Sequence, residues 1–196
     1  MNFNNLYLPV NEVVPTLKIQ LQNHQKVLLS APPGAGKSSV VPLVLLQEEW
    51  LGNQKIILLE PRRLAAKTLA QRMAQILGEV LTLRAVLFND LIKGWGDGAA
   101  RFEPITTETT YLERSDRDVI YKQLLADLDE AAGYLPWPND NATTAKVERV
   151  SKAFAKGLRA RLALMASGYQ QYADGVRRST DPELSVEAMY ALALKE

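Results

Sequence analysis

The stretch that most constrains this chain is Val27-Leu28-Leu29-Ser30-Ala31-Pro32-Pro33-Gly34-Ala35-Gly36-Lys37-Ser38-Ser39. A short apolar run reads as a buried strand, a Gly/Pro turn follows, and Lys-Ser opens a helical pattern. That order is the phosphate-binding-loop arrangement, with Ala31 standing where the pattern usually has its first glycine. A triphosphate needs several backbone N–H groups aimed at one point. Gly34 and Gly36, on either side of Ala35, let the backbone come close and take conformations that a Cβ forbids. A helix starting near Lys37 presents free N–H groups, those of Ser38 and Ser39 among them, and its positive dipole end to the anion. Lys37 then reaches the β- and γ-phosphates, and the Ser38 hydroxyl binds Mg²⁺. The bland alternative is a Gly-rich turn that happens to precede a helix.

The flanking sequence supplies the context such a loop requires. Val14, Leu17 and Leu21 share a helical face behind a candidate N-cap, Asn11. The lone histidine, His24, sits in a polar turn with no partner cluster and reads as a solvated turn residue. After the loop a helix is expected from Lys37 to about Glu48, with Pro42 in or just past its first turn, where a missing N–H costs least. Lys55-Ile56-Ile57-Leu58-Leu59-Glu60 lacks polar alternation and reads as a second buried parallel strand. Pro61-Arg62-Arg63 follows, then a helix over 64–77 with Gly78 as its C-cap. Strand, helix, strand, helix is the start of a doubly wound α/β sheet.

Leu8-Pro9-Val10, Ala31–Ser39, Val41-Pro42-Leu43 and Leu58–Ala66 together resemble the beginning of bacterial DExH-box ATP-dependent helicases of the HrpB type, over residues 6–79 almost without a gap. The resemblance implies an incomplete RecA-like fold with two parallel strands, ATP and Mg as cofactors held by Gly34, Ala35, Gly36, Lys37, Ser38 and Ser39, and a nucleic-acid track lined by Pro61, Arg62 and Arg63. Two arginines at the C-terminal end of a parallel strand can hold phosphate oxygens in bidentate fashion, on RNA or DNA alike. A working helicase also needs an apolar strand ending in Asp-Glu, and a second lobe with an arginine finger. The only Asp-Glu is Asp129-Glu130. It follows Ile120, Leu124 and Leu128, a helical stripe, and so reads as the solvated face of a helix. The expectation is nucleotide binding without hydrolysis or unwinding, with catalytic residues unknown.

From Leu83 the character of the chain changes. Leu83, Val86, Leu87 and Leu91 make a helix face, and Arg101–Arg114 is polar. A helix over 116–133 begins at a capping box of Ser115 and Asp118. Val147, Val150, Phe154, Leu158, Leu162 and Met165 mark another helix, and Asp181-Pro182 caps a last one. The runs Leu83–Asp97, Glu103–Thr106, Val119–Pro136 and Ser151–Leu164 resemble the helical core of SusD/RagB-type nutrient-binding proteins of the outer membrane. That resemblance implies an all-α, tetratricopeptide-like second segment. It offers an alternative function, a glycan- or partner-binding helical module with a vestigial phosphate loop. The expected division is 1–79 and 80–196, a hybrid of two fragments.

Composition adds limits. With no cysteine among 196 residues there is no disulfide, no Cys-based zinc site and no lipoprotein anchor. The start, Met1-Asn2-Phe3-Asn4-Asn5, lacks the basic and apolar regions of a signal peptide. No apolar run nears the roughly 20 residues of a membrane span. The default expectation is cytoplasmic, with oligomeric state open. The net charge of +1 is too balanced to imply nucleic acid by itself, although residues 1–79 carry +3 and residues 80–196 carry −2.

Overall fold

The computed structural model describes residues 8–46, 48–52, 54–59, 63–107, 109–142, 144–145 and 148–196, with the backbone alone at 63–65. It divides into two compact units, Met1–Met73 and Ala74–Glu196.

The first unit is small and helical. A 3₁₀ turn at Pro9–Glu12 leads into α1 (Val14–Asn23); α2 (Lys37–Leu45), a 3₁₀ turn at Glu49–Leu51 and the start of α3 (Arg63–Trp95) follow. Val10, Val14, Leu17, Ala35, Pro42 and Leu51 are buried among its described residues. Lys18 at α1 pairs with Glu48 beyond α2 at 2.5 Å. His24 is exposed and ends α1, its backbone N–H donating to the Gln20 carbonyl.

The expected parallel sheet is absent from the described residues. Residues 26–31 and 54–59 carry no strand assignment, and the two-stranded antiparallel sheet of the second unit is the only one described. Leu28 is 96% exposed, Ile57 81% and Leu59 87%. The reason is physical. A parallel strand is stabilised by neighbours on both edges and by helices on both faces, and a pair alone is marginal. The apolar composition of these runs suits burial on both faces of a sheet, and no partner strand lies beside them among the described residues. The fold is mostly helical, and the α/β expectation is corrected accordingly.

The second unit holds the main core. Here lie the rest of α3, α4 (Arg117–Tyr134), α5 (Lys152–Ala166), the hairpin β1 (Gln170–Tyr172) and β2 (Gly175–Arg177), a 3₁₀ turn at Pro182–Leu184, and α6 (Val186–Lys195). Ile120, Leu124 and Leu128 of α4, spaced four apart, are fully buried against Ala155, Leu162, Ala163 and Ala166 of α5. Small residues on α5 bring the two helices close. The helices are capped by side chains. Asp116 accepts from the Asp118 N–H at α4, Ser151 from Phe154 at α5, and Ser185 from Ala188 at α6. Each such cap is worth about 1 kcal/mol.

Several local expectations shift. The cap of α4 is Asp116 rather than Ser115, which bridges Gly98 instead. Asp181 caps the 3₁₀ turn that precedes α6, accepting from the Glu183 N–H at 2.9 Å. The stripe assigned to α5 starts too early: Val147 lies outside the described residues, Val150 precedes the helix, and Phe154 is 52% exposed. The second unit also contains the β-hairpin, so it is not all-α. Gly78 is no C-cap, since α3 runs through it. A Cβ there would meet Leu135 Cγ at 2.9 Å and the Ala131 carbonyl at 3.1 Å, so its glycine serves close packing against the end of α4.

An ion cluster closes the far side of this core. The Glu196 side chain, only 3% exposed, accepts from Lys156 at 2.6 Å and from Arg159. Burial opposes its charge, but the hydrogen bonds from Lys156 and Arg159 outweigh it and hold the carboxyl below its ordinary range. A carboxyl depressed in the folded state stabilises above its unfolded pKa and loses that contribution as pH falls through the folded value. Glu196→Gln is therefore expected to cost about 1–2 kcal/mol at pH 7. The gap in thermal midpoint between wild type and variant should close as pH falls below about 4. A gap that persists unchanged in acid would show that the pairing contributes nothing through charge.

Candidate nucleotide-binding site

The loop after residue 31 is built by two glycines in left-handed backbone, Gly34 at φ 78° and Gly36 at φ 92°. The Ala35 N–H donates to the Pro32 carbonyl at 3.2 Å, and the Ala35 carbonyl accepts from the Val10 N–H at 3.2 Å. Val10 is wholly buried. The 3₁₀ turn at Pro9–Glu12 thus straps the loop through one backbone bond. The strap also packs on Gly36, where a Cβ would lie 3.1 Å from Leu8 Cδ1, 3.2 Å from Val10 Cγ1 and 3.2 Å from Val40 Cγ2. Sequence reading noted Leu8-Pro9-Val10 without giving it a role. An apolar pair around a proline carries no signal that it will touch a loop two dozen residues later.

α2 begins at Lys37 with Gly36 as its N-cap, and no side chain caps it. Its first N–H groups, at Lys37, Ser38 and Ser39, have no intrahelical acceptor and carry the positive end of the helix dipole. Pro42 lies just past the first turn of α2, inside the helix, and is buried. The bond lost there is the one to the Ser38 carbonyl. The Lys37 ammonium donates to the carbonyls of Ala31 and, at 2.9 Å, of Pro32, which ties the two sides of the loop together.

All six residues assigned to the loop, Gly34 through Ser39, line one cavity of about 390 Å³, with Leu8, Pro33 and Leu69 completing its wall. These residues fit a phosphate chain. Nothing lies within 4 Å of a Cβ position at Gly34, so backbone is open to close approach there. A lysine ammonium, two half-buried serines and a helix N-terminus supply donors and positive potential. The second expected site lies elsewhere. Pro61 and Arg62 fall outside the described residues, and Arg63 is the first residue of α3, with its backbone alone described. Asp129 and Glu130 sit on α4. Asp129 is 65% exposed and pairs with Arg159 at 2.6 Å, and Glu130 accepts from the Tyr134 hydroxyl at 3.0 Å. No group of three or more metal-ligating side chains occurs among the described residues.

Comparison with known proteins decides what this loop is similar to. The chain carries a partial similarity to DExH-box RNA helicases. It is 57% identical over 72 residues to the ATP-dependent RNA helicase HrpB of Escherichia coli strain K12, covering 37% of this chain and 9% of that protein. It is 33% identical over 75 residues to the probable ATP-dependent RNA helicase DHX35 of Homo sapiens, covering 38% of this chain and 11% of that protein. It is 26% identical over 124 residues to HrpA of Borreliella burgdorferi, or 63% of this chain and 14% of that protein. The chain therefore spans about a tenth of the length of the helicases it resembles. Among solved structures, a SusD-like protein from Bacteroides fragilis aligns with 48% of this chain and 18% of its own, at 26% identity and a TM-score of 0.43. No family model matches. No helix among the described residues is long and apolar enough to cross a membrane.

Proposed function

We propose that the first segment, residues 1–79, is an ATP- and Mg-binding module of the kind that opens the first lobe of a DExH helicase, and that residues 80–196 are a separate helical segment. The observation that carries this reading is the convergence of Gly34, Ala35, Gly36, Lys37, Ser38 and Ser39 on one cavity at the start of α2. Bound MgATP would supply a polyanionic phosphate chain and a divalent cation. Toward it, the first N–H groups of α2 donate to phosphate oxygens, the Lys37 ammonium leaves the Ala31 and Pro32 carbonyls to neutralise charge, and the Ser38 hydroxyl ligates Mg. Pro61, Arg62 and Arg63 would contact the phosphates of RNA or DNA, as the similarity to RNA helicases supports. A cytoplasmic location goes with that reading.

The module on its own neither hydrolyses ATP nor unwinds. Phosphoryl transfer needs an acid to hold the metal and a group to position water, and Asp129-Glu130 on α4 is engaged with Arg159 and Tyr134 instead. The test is thermal unfolding with and without MgATP. A ligand at 100 times its Kd adds about 2.7 kcal/mol to the state that binds it. Wild type is expected to gain a higher midpoint for the first unit, and Lys37→Ala to gain none. Equal behaviour of the two proteins would overturn the binding reading. Phosphate release above that of Lys37→Ala would overturn the absence of hydrolysis.

A further inference from the structure

The amides that a phosphate loop offers must be open, and two of them here are kept open from outside the loop. Within it, Pro33 has no N–H, and the Ala35 N–H is spent on the Pro32 carbonyl at 3.2 Å. The N–H groups of Gly34, Gly36, Lys37, Ser38 and Ser39 have no acceptor among the described residues. No side chain caps α2 to take them. Such amides meet a phosphate chain only if they also point its way.

The Val10 N–H reaches the Ala35 carbonyl at 3.2 Å. That carbonyl belongs to the same planar unit as the Gly36 N–H, and the peptide is trans. In a trans unit the C=O and N–H bonds point in opposite directions. A carbonyl fixed on the strap therefore fixes the Gly36 N–H on the side away from the strap. The same carbonyl stands four residues before Ser39, where it would accept the Ser39 N–H if α2 wound back by one residue. Held by Val10, it leaves that N–H free. The strap has little freedom of its own. Val10 is wholly buried, and its carbonyl accepts from the Val13 N–H at 3.1 Å.

We propose, resting on the nucleotide-binding reading above, that Val10 is a positioning residue of that site: its N–H holds the Ala35 carbonyl so that the amides of Gly36 and Ser39 face the phosphate chain. Val10 itself touches no phosphate. It acts through the Ala35–Gly36 peptide, from a turn that precedes α1. A buried apolar residue serves here because the working group is its main-chain donor, and burial keeps water from competing for the Ala35 carbonyl.

The test separates the Val10 N–H from the Val10 side chain, in the full chain. Replacing Val10 by α-hydroxyisovaleric acid turns its amide into an ester, which deletes the donor and leaves the side chain. Val10→Ala does the reverse. In nuclear magnetic resonance spectra of protein with isotope-labelled glycine and serine, MgATP is expected to move the Gly36 and Ser39 amide protons of wild type downfield, as hydrogen bonds to anionic oxygens do. The ester should lose most of both shifts while Ser38 still moves. It should bind MgATP about tenfold more weakly, the value of one charge-assisted hydrogen bond. Val10→Ala should keep both shifts although its thermal midpoint falls by several degrees. Shifts that persist in the ester overturn the proposal. Their loss in Val10→Ala overturns it too, since packing would then be the cause. Movement of Ser38 without Gly36 and Ser39 in wild type would overturn it and leave nucleotide binding standing. Absence of any shift among the loop amides of wild type would overturn both.

Discussion

Gly36→Val is expected to remove MgATP-dependent stabilisation altogether and to loosen the first unit. Two costs add at this position. At φ 92° the backbone is in the left-handed region, which an L-residue enters at about 1–2 kcal/mol. The new side chain then meets Leu8, Val10 and Val40, whose atoms lie 3.1–3.2 Å from the first added carbon. Overpacking of that kind costs about 1–3 kcal/mol more. Val10 cannot yield cheaply, being fully buried and bonded through its N–H to Ala35. With so few buried apolar residues among those described, the unit has little reserve. Gly34→Ala makes the comparison sharp: φ is 78° there, but nothing lies within 4 Å of the added Cβ. Only the backbone cost of about 1–2 kcal/mol applies, and a reduced MgATP shift should survive. The two midpoints with and without MgATP check the order. A Gly36→Val protein with the wild-type shift would mean that the strap does not shape the loop.

That asymmetry shows which information was local. The phosphate loop was legible because its residue types answer to the chain's own backbone. Gly34 and Gly36 are needed wherever φ turns positive, and Lys37-Ser38 begin a helix whose first N–H groups have no intrahelical acceptor. Residues 27–30 and 55–59 were not legible, because an apolar run states only that burial is wanted, and a strand exists only when neighbours pair with it. Gly78 misled for a related reason. Its sequence context suits a helix end, and nothing local announces that Leu135, 57 positions later, will fill the space above it. The histidine, the Asp129-Glu130 pair and the Ile120, Leu124 and Leu128 stripe were read correctly, each from spacing within one helix or turn.

The helix face of α3 is the place where sequence and structure disagree most usefully, and Ile92→Ala tests it. Periodicity picks out Leu83, Val86, Leu87 and Leu91, since they are large and spaced by three and four. In the structure Leu83 is 53% exposed, Leu87 61% and Leu91 41%, while Leu81, Ala85 and Ile92 are buried at 7%, 0% and 3%. α3 carries two apolar stripes, and the one turned inward is the one whose small Ala85 permits a close approach. Which stripe wins is set by the partner surface on α4 and by Arg84, which reaches the buried Asp127 carboxylate at 2.8 Å. Arg84 adjoins the Leu91 side of the helix, so its ion pair fixes how far the helix is rotated. Ile92→Ala is expected to cost the second unit about 2–5 kcal/mol, as truncation of a buried branched side chain does. Leu87→Gln is expected to stay within about 0.5 kcal/mol of wild type. Urea unfolding of both variants decides between the faces. If Leu87→Gln were the costly one, the helix would sit on its leucine stripe, and the Arg84–Asp127 pair would have to be broken to allow it.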